Sequence, residues 1–446
     1  MHTIEDAADA LANGRTTSRA LVEACLAQIE NPMGEGARTF VQVYAEQARA
    51  GADAMDTLRR TNRAPGRFAG IPISLKDLFD VAGEPTPAAS IVLADAPPAS
   101  SHAPVVQRLL SAGLIPVGRT NMTEFAFSGV GINPHYDTPR SPFDRTTGRV
   151  PGGSSSGAAV SVSDGMALAG IGTDTGGSCR IPAAFCGIVG FKPTARRVPL
   201  AGVLPLSPSL DSVGPLAADV AGCAAIDAIM AGRDCEKLAA RPAAGLRLLM
   251  PTNLVLDGMD PATEHAIDRA VQRLDRAGAV IHHAKLRAFD LIRQANAQGG
   301  FAVVESYAWH RTLLASDGAR YDPRVAGRIL PGADMLAADY VALIAARART
   351  IAAFEAELAP YDALIMPTVP IAPPPITAFD DDAEYWRLNY LILRNSAQIN
   401  FLDGCAISLP CHTAGARPAG ITLAAPAMAD RTLLAIAASL EPLIRP

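Results

Sequence analysis

The sequence predicts an α/β protein built on one large mixed central sheet flanked by helices. Short apolar runs at 114–117 and 188–191 sit between helix-like segments, the pattern of strands buried on both faces. Residues 246–285 repeat a strand, helix, strand alternation. Nearly half of the 446 residues are apolar and only 19% are charged, so the chain has material for a sizeable core and no composition for wholesale disorder.

The elements follow in order. Residues 1–65 read as helical: Thr17 or Ser18 caps a helix carrying Leu21, Cys25 and Ile29 on one face, with Glu23 in its first turns. The stretch 66–235 is rich in Gly, Ser and Pro, and opens on the alternation Ile71, Ile73, Leu75, a strand entering a core. Within 236–370 a strand at 246–249 precedes a helix that Pro261 begins and that runs to Leu274, then a strand at 277–281. From about 287 to 360 the pattern is helical, broken at Pro323 and Pro331. The tract Pro367-Thr-Val-Pro-Ile-Ala-Pro-Pro-Pro375 reads as an extended loop. The acidic run Asp380-Asp381-Asp382 that follows reads as solvated loop, and 371–446 closes on a strand at 420–423 and a helix at 430–440. There is no fixed-period repeat, so one domain over 1–446 is expected rather than a solenoid.

Composition excludes several classes of function. A formal charge of −5 leaves no electrostatic footprint for nucleic acid or a membrane surface. No apolar run approaches the roughly 20 residues of a membrane span, and the first residues lack the basic start and apolar stretch of a signal peptide. Seven cysteines with no C-x-x-C pair argue against a disulfide framework or a zinc module, and no H-E-x-x-H occurs, so no metal is expected. The expectation is a cytoplasmic protein that needs no cofactor.

The chemistry lies in three places. Only four of the 39 basic residues are lysines (76, 192, 237 and 285), yet Lys76 ends the predicted strand. Downstream stand Gly152-Gly153-Ser154-Ser155-Ser156-Gly157 and Gly172-Thr173-Asp174-Thr175-Gly176-Gly177-Ser178-Cys179-Arg180. A serine hydroxyl attacks poorly until a base takes its proton. Neutral lysine is such a base and arginine is not. Bringing a lysine from near 10.4 to neutrality costs about 4 kcal/mol, which burial supplies. Taken by itself, Lys76 reads more simply as a strand-end lysine reaching solvent beside Asp77. The first glycine-serine run leads into Ala158-Ala159-Val160, a helix start, so it is no flexible linker. It matches G-x-S-x-G, but Arg149-Val150-Pro151-Gly152 is no strand, as a nucleophile elbow requires. In the second run Gly176 and Gly177 leave N–H groups unobstructed beside the Ser178 hydroxyl, a good oxyanion hole or a tight structural turn.

Together, Lys76 and the two runs in this order closely resemble the amidase signature family, with the family's spacing of 24 residues from Ser154 to Ser178. The stretches 118–129, 185–193, 362–368 and 404–410 resemble further blocks of that family, so the resemblance is strong over 70–220 and looser over 235–360. It implies an α/β/α amidase signature fold and hydrolysis of a small carboxamide through an acyl-enzyme. Ser178 would be the nucleophile, Ser154 the bridge to the base Lys76, and the Gly153–Ser154 peptide would be cis. Backbone N–H groups of Thr175, Gly176, Gly177 and Ser178 would hold the oxyanion. Asp174 and Arg180 would brace the loop, and Ser155 would donate a supporting hydrogen bond to the triad. Met122, Phe125, Phe127 and Tyr136 fall where the family lines its acyl pocket. Ser156 departs from the pattern, standing where a second glycine is usual. Dimers are common among such enzymes, which leaves a homodimer open.

Other readings compete with this one. The eight histidines (2, 102, 135, 265, 282, 283, 310 and 412) are scattered and carry no motif for a Ser-His-Asp triad. Cys179 has no neighbouring histidine to activate it and reads as a packing residue. A glutaminase subunit of a tRNA-dependent amidotransferase would carry Tyr-Asp-Gly-Val-Arg-Tyr-Gly, and the nearest stretch here is Ala319-Arg-Tyr-Asp-Pro-Arg324. A carbamate, urea-derivative or ester hydrolase shares the same signature. A catalytically dead binding protein would not keep Lys76, Ser154 and Ser178 together.

Overall fold

The computed structural model describes residues 3–297 and 299–445, which leaves His2 outside the described residues. Among them eleven strands form one mixed sheet. These are β1 (Phe40–Val43), β2 (Pro72–Lys76), β3 (Ile115–Thr120), β4 (Ala169–Thr173), β5 (Val189–Lys192) and β6 (Val213–Ala217). They continue with β7 (Arg247–Pro251), β8 (Val280–Ala284), β9 (Ala363–Pro367), β10 (Cys405–Pro410) and β11 (Gly420–Ala425). The order across the sheet is β1-β3-β2-β4-β6-β5-β10-β11-β9-β7-β8. Two parallel groups, β3-β2-β4 and β9-β7-β8, are joined by antiparallel strands.

The predicted strands and helices are present with small boundary shifts. Thr17 caps the helix Ser18–Ile29, accepting a hydrogen bond from the Ala20 N–H at 3.0 Å. The helical N-terminal reading misses β1, a four-residue strand between two helices that pairs antiparallel with β3. Four residues are too few for alternation to show. The helical stretch resolves into Arg287–Ala295, Phe301–Asp317, Pro323–Ile329 and Ala337–Leu358. Pro323 does not break a helix but opens one, with Asp322 as its cap, because the first helical position needs no N–H. Pro367 belongs to the end of β9 rather than to the loop, its carbonyl receiving the Asn395 amide at 2.9 Å. The acidic run is not simply loop either. Asp381 accepts the Glu384 N–H at 2.8 Å and caps the helix Asp382–Phe401, an Asp-x-x-Glu start.

Two features of this architecture place the site. β2, β3 and β4 run parallel, so Lys76, Thr120 and Thr173 all end at the same edge of the sheet, where open α/β sheets hold ligands. The helix Ser156–Ser163 packs tightly behind that edge because its residues are small. A Cβ on Gly157 would lie 2.5 Å from the Thr39 carbonyl oxygen and 2.6 Å from that of Asn121, so only glycine fits there. Among the described residues no single helix is long and apolar enough to cross a membrane.

Candidate active site

Lys76 is fully buried at the end of β2, and its Nζ has two hydrogen-bond partners, Ser154 Oγ at 2.7 Å and Thr173 Oγ1 at 2.8 Å. The parallel pairing of β2 with β4 explains the second contact, since both strands end level with each other. Burial drives the Lys76 ammonium from its ordinary 10.5 down to about 7, against the opposing pull of Cys179, Asp174 and Asp211. Among the described residues no carboxylate hydrogen-bonds to it, so the neutral amine is accessible near physiological pH.

Ser154 is held by its backbone. The Gly153–Ser154 peptide is cis, Gly153 N–H donates to the Gly129 carbonyl at 2.8 Å, and the Ser154 carbonyl accepts from Thr123 N–H at 3.2 Å. The neighbouring Ser155 N–H donates to the Ser178 carbonyl at 3.3 Å, tying the two glycine-serine runs together. The Ser155 side chain itself departs from expectation: its Oγ donates to the Thr173 carbonyl at 3.2 Å rather than to Lys76, Ser154 or Ser178. It supports β4, and through it the Thr173 hydroxyl. Among the described residues no hydrogen bond joins Ser154 Oγ to Ser178 Oγ.

The loop bearing Ser178 is organised around Asp174. This buried carboxylate accepts from Gly177 N–H (2.8 Å), Cys179 N–H (3.1 Å), both Nε (3.1 Å) and Nη2 (2.9 Å) of Arg180, and Asn400 Nδ2 (2.9 Å). Burial pushes its pKa up, but the Arg180 guanidinium, Lys192 and the Asn400 amide together hold the carboxyl well below the usual carboxylate range. One expectation changes as a result. The Gly177 N–H points into the Asp174 carboxylate, whereas the N–H groups of Thr175, Gly176 and Ser178 have no hydrogen-bond acceptor among the described residues. Glycine at 177 is needed for another reason: its φ is +128°, and a Cβ would lie 2.6 Å from both Ile181 Cδ1 and Ser396 Cβ. Thr175 is anchored by its hydroxyl, which donates to the buried Asp211, a carboxyl that burial pushes up to about 6.

Thr175, Gly176 and Ser178 face a cavity of about 170 Å³, walled by Ala126, Phe127, Leu206, Leu210, Phe301 and Leu393 among others. Of the four aromatic and methionine residues singled out in the sequence, only Phe127 lines it. Phe125 and Ala126 have φ of +50° and +61°, and this turn sends successive side chains to different places. The Phe125 ring packs instead on His310, at 4.5 Å between centroids, and on Tyr321, at 5.2 Å. Met122 is fully buried in the core and Tyr136 is half-buried outside the cavity. Cys179 is buried, with its Sγ against the Gly214 carbonyl at 3.5 Å and its thiol pKa pushed up by burial.

Sequence reasoning missed Thr173 and Asn400. Thr173 lies inside the quoted glycine-framed run, and its place as the last residue of a strand beside Lys76 is the signal that was available. Asn400 comes from the helix Asp382–Phe401, more than 200 residues from Asp174, and one sequence offers no sign of that meeting.

A family model described as Amidase matches residues 20–434. The 2-amino-5-chloromuconic acid deaminase of Comamonas testosteroni is 36% identical over 96% of this chain and 93% of its own length. A glutamyl-tRNA(Gln) amidotransferase subunit from Chloroflexus aggregans is 34% identical, covering 97% of this chain and 94% of its own. A crystal structure of an amidase superposes with a TM-score of 0.89 at 29% identity, covering 99% of this chain and all of the other. The chain therefore belongs to the amidase signature family and is an amide-hydrolysing enzyme.

Proposed function

We propose that this enzyme hydrolyses a small carboxamide through an acyl-enzyme on Ser178, with Ser154 and Lys76 as its proton relay. The observation that carries the reading is a buried lysine, near neutrality in pKa, whose Nζ lies 2.7 Å from Ser154 Oγ. Ser178 Oγ attacks the carbonyl carbon and loses its proton to Ser154 Oγ, while the Ser154 proton passes to the neutral Lys76 amine. The oxygen of the tetrahedral intermediate takes its negative charge toward the N–H groups of Thr175, Gly176 and Ser178. Collapse breaks the C–N bond, and the leaving nitrogen receives the proton returned from Lys76 through Ser154. Water then adds by the same route and releases the carboxylic acid and free Ser178. Asp174 and Arg180 hold the loop, and Ser155 holds the Thr173 end of the cradle.

Ammonia and amine release is measured across aliphatic amides, aryl amides, carbamates and glutamine. The reading expects amide turnover in the wild type and a loss of several orders of magnitude in Ser178→Ala, with the fold retained. Amide turnover undiminished in Ser178→Ala would contradict it. A second reading, a glutamine-hydrolysing component of a larger complex, is favoured by the similarity to the amidotransferase subunit over 97% of the chain. It predicts that only glutamine is turned over in the same panel.

A further inference from the structure

The loop 206–211 walls the Ser178 cavity through Leu206 and Leu210, and its last residue reaches the run that bears Ser178. Asp211 accepts the Thr175 hydroxyl at 2.5 Å with one oxygen, and the N–H groups of Leu206 and Ser207, each at 3.0 Å, with the other. The hydrogen bonds on the outer side of the loop converge on Glu305, a half-buried residue of the helix Phe301–Asp317. One carboxylate oxygen of Glu305 accepts the Ser207 hydroxyl at 2.5 Å and the Ser209 N–H at 3.0 Å. The other accepts the Ser209 hydroxyl at 2.5 Å and the hydroxyl of Tyr340, on the helix Ala337–Leu358, at 2.7 Å. Among the described residues every hydrogen bond that ties 206–211 to another element ends on Glu305 or Thr175. Pro208, between the two serines, is exposed. The helix carrying Glu305 also supplies Phe301 and Ala302 to the cavity, and the Phe301 ring packs edge-on against Tyr340 at 5.9 Å between centroids. Glu305 therefore fastens two walls of one cavity to each other.

We propose that Glu305 is a positioning residue, which latches the loop 206–211 and so holds Leu206 and Leu210 against the acyl group of the substrate. The latch makes the enzyme prefer amides of short apolar acids with a few carbons over acetamide. An apolar chain gains dispersion contact only from a wall that stays in place, and a butyryl chain offers that wall more surface than an acetyl methyl does. A volume of about 170 Å³ keeps the chain short. Four donors share the one carboxylate, so alanine at 305 leaves an N–H and three hydroxyls without their acceptor. Glutamine keeps the shape and one acceptor oxygen, and its NH₂ can donate to hydroxyls that turn to accept. The inference rests on the reading of Ser178 as nucleophile, because that oxygen fixes where the acyl group lies.

The test compares wild type, Glu305→Ala and Glu305→Gln on acetamide and butyramide, with thermal unfolding showing each variant folded. Wild type is expected to favour butyramide at least about tenfold in kcat/KM. Glu305→Ala should cut that preference about tenfold, through KM for butyramide rather than kcat, and lower kcat/KM for acetamide less than about threefold. Glu305→Gln should restore most of the preference. A merely structural role would lower both amides in proportion and leave their ratio unchanged. Should Glu305→Ala fail to fold, the pair Ser207→Ala and Ser209→Ala removes two hydroxyl donors while the carboxylate stays, and should cut the preference about threefold. An unchanged ratio in folded variants overturns the inference, as does a wild type with no preference for butyramide or no activity on either amide. Ser178-dependent turnover whose ratio ignores Glu305 overturns the inference and leaves the nucleophile assignment standing. A Glu305-dependent preference that persists in Ser178→Ala does the reverse.

Discussion

Thr173 and Asp174 are adjacent in sequence, and each meets a different buried cation. On one side the Lys76 amine rests on two hydroxyls, those of Ser154 and Thr173. On the other the Arg180 guanidinium is matched by the Asp174 carboxylate, the Ser396 carbonyl at 3.1 Å and the Asn400 side-chain oxygen at 2.7 Å. Both cations are fully buried. The difference is compensation. A cation given a full anionic partner stays charged and holds structure, whereas one given only hydroxyls is free to lose its proton and carry chemistry.

Asp174→Ala should disturb this arrangement most. It strands Arg180 as an uncompensated buried charge and frees the Gly177 and Cys179 N–H groups. A stability loss of about 3–5 kcal/mol is expected, read as a fall in the denaturant midpoint. Lys76→Met makes the opposite change, removing a cation that has no carboxylate to strand. It should leave the protein folded while lowering turnover by roughly 10²–10⁴. Equal destabilisation by the two substitutions would remove the distinction drawn between them.

The pH dependence bears on the same contrast. In the proposed mechanism the base is the neutral Lys76 amine, so kcat/KM should rise with pH through about 7 and then level off. Stability moves the same way. The folded-state pKa lies below the unfolded 10.5, so the destabilisation from Lys76 is complete below about 7 and gone above 10.5. The smallest effect belongs to Thr173→Val, which removes one of the two hydroxyls and should cost about 0.5–1.5 kcal/mol of orientation. Turnover falls by about tenfold or less, and Thr173→Ser restores it.

How much of this was legible in the sequence depends on how local the cause is. The strand into Lys76, the glycine-framed runs and the helix at 156 are set by neighbouring residues, and the sequence shows them. The fate of the Gly177 N–H was not legible, because it depends on the rotamer of Asp174 rather than on any pattern of residue types. Phe125 and Phe127 are two apart on one loop, yet a positive-φ turn between them sends only Phe127 to the cavity. Asn400 meets Asp174, and Arg328 joins the cavity wall, from helices whose packing is a long-range outcome. Their helices were readable at most as helices, and what their side chains meet was not.

The scarcity of lysine makes the protonation of Lys76 directly measurable. With only four lysines in the chain, protein labelled at the lysine side chain gives four amine signals to follow by NMR as pH is raised, and Lys76→Met identifies one of them. The account predicts that the Lys76 signal titrates near pH 7, well below the ordinary lysine range. A Lys76 that remains charged through about pH 9, close to the behaviour of a free lysine, would contradict it, because no neutral amine would then be present to take the Ser178 proton.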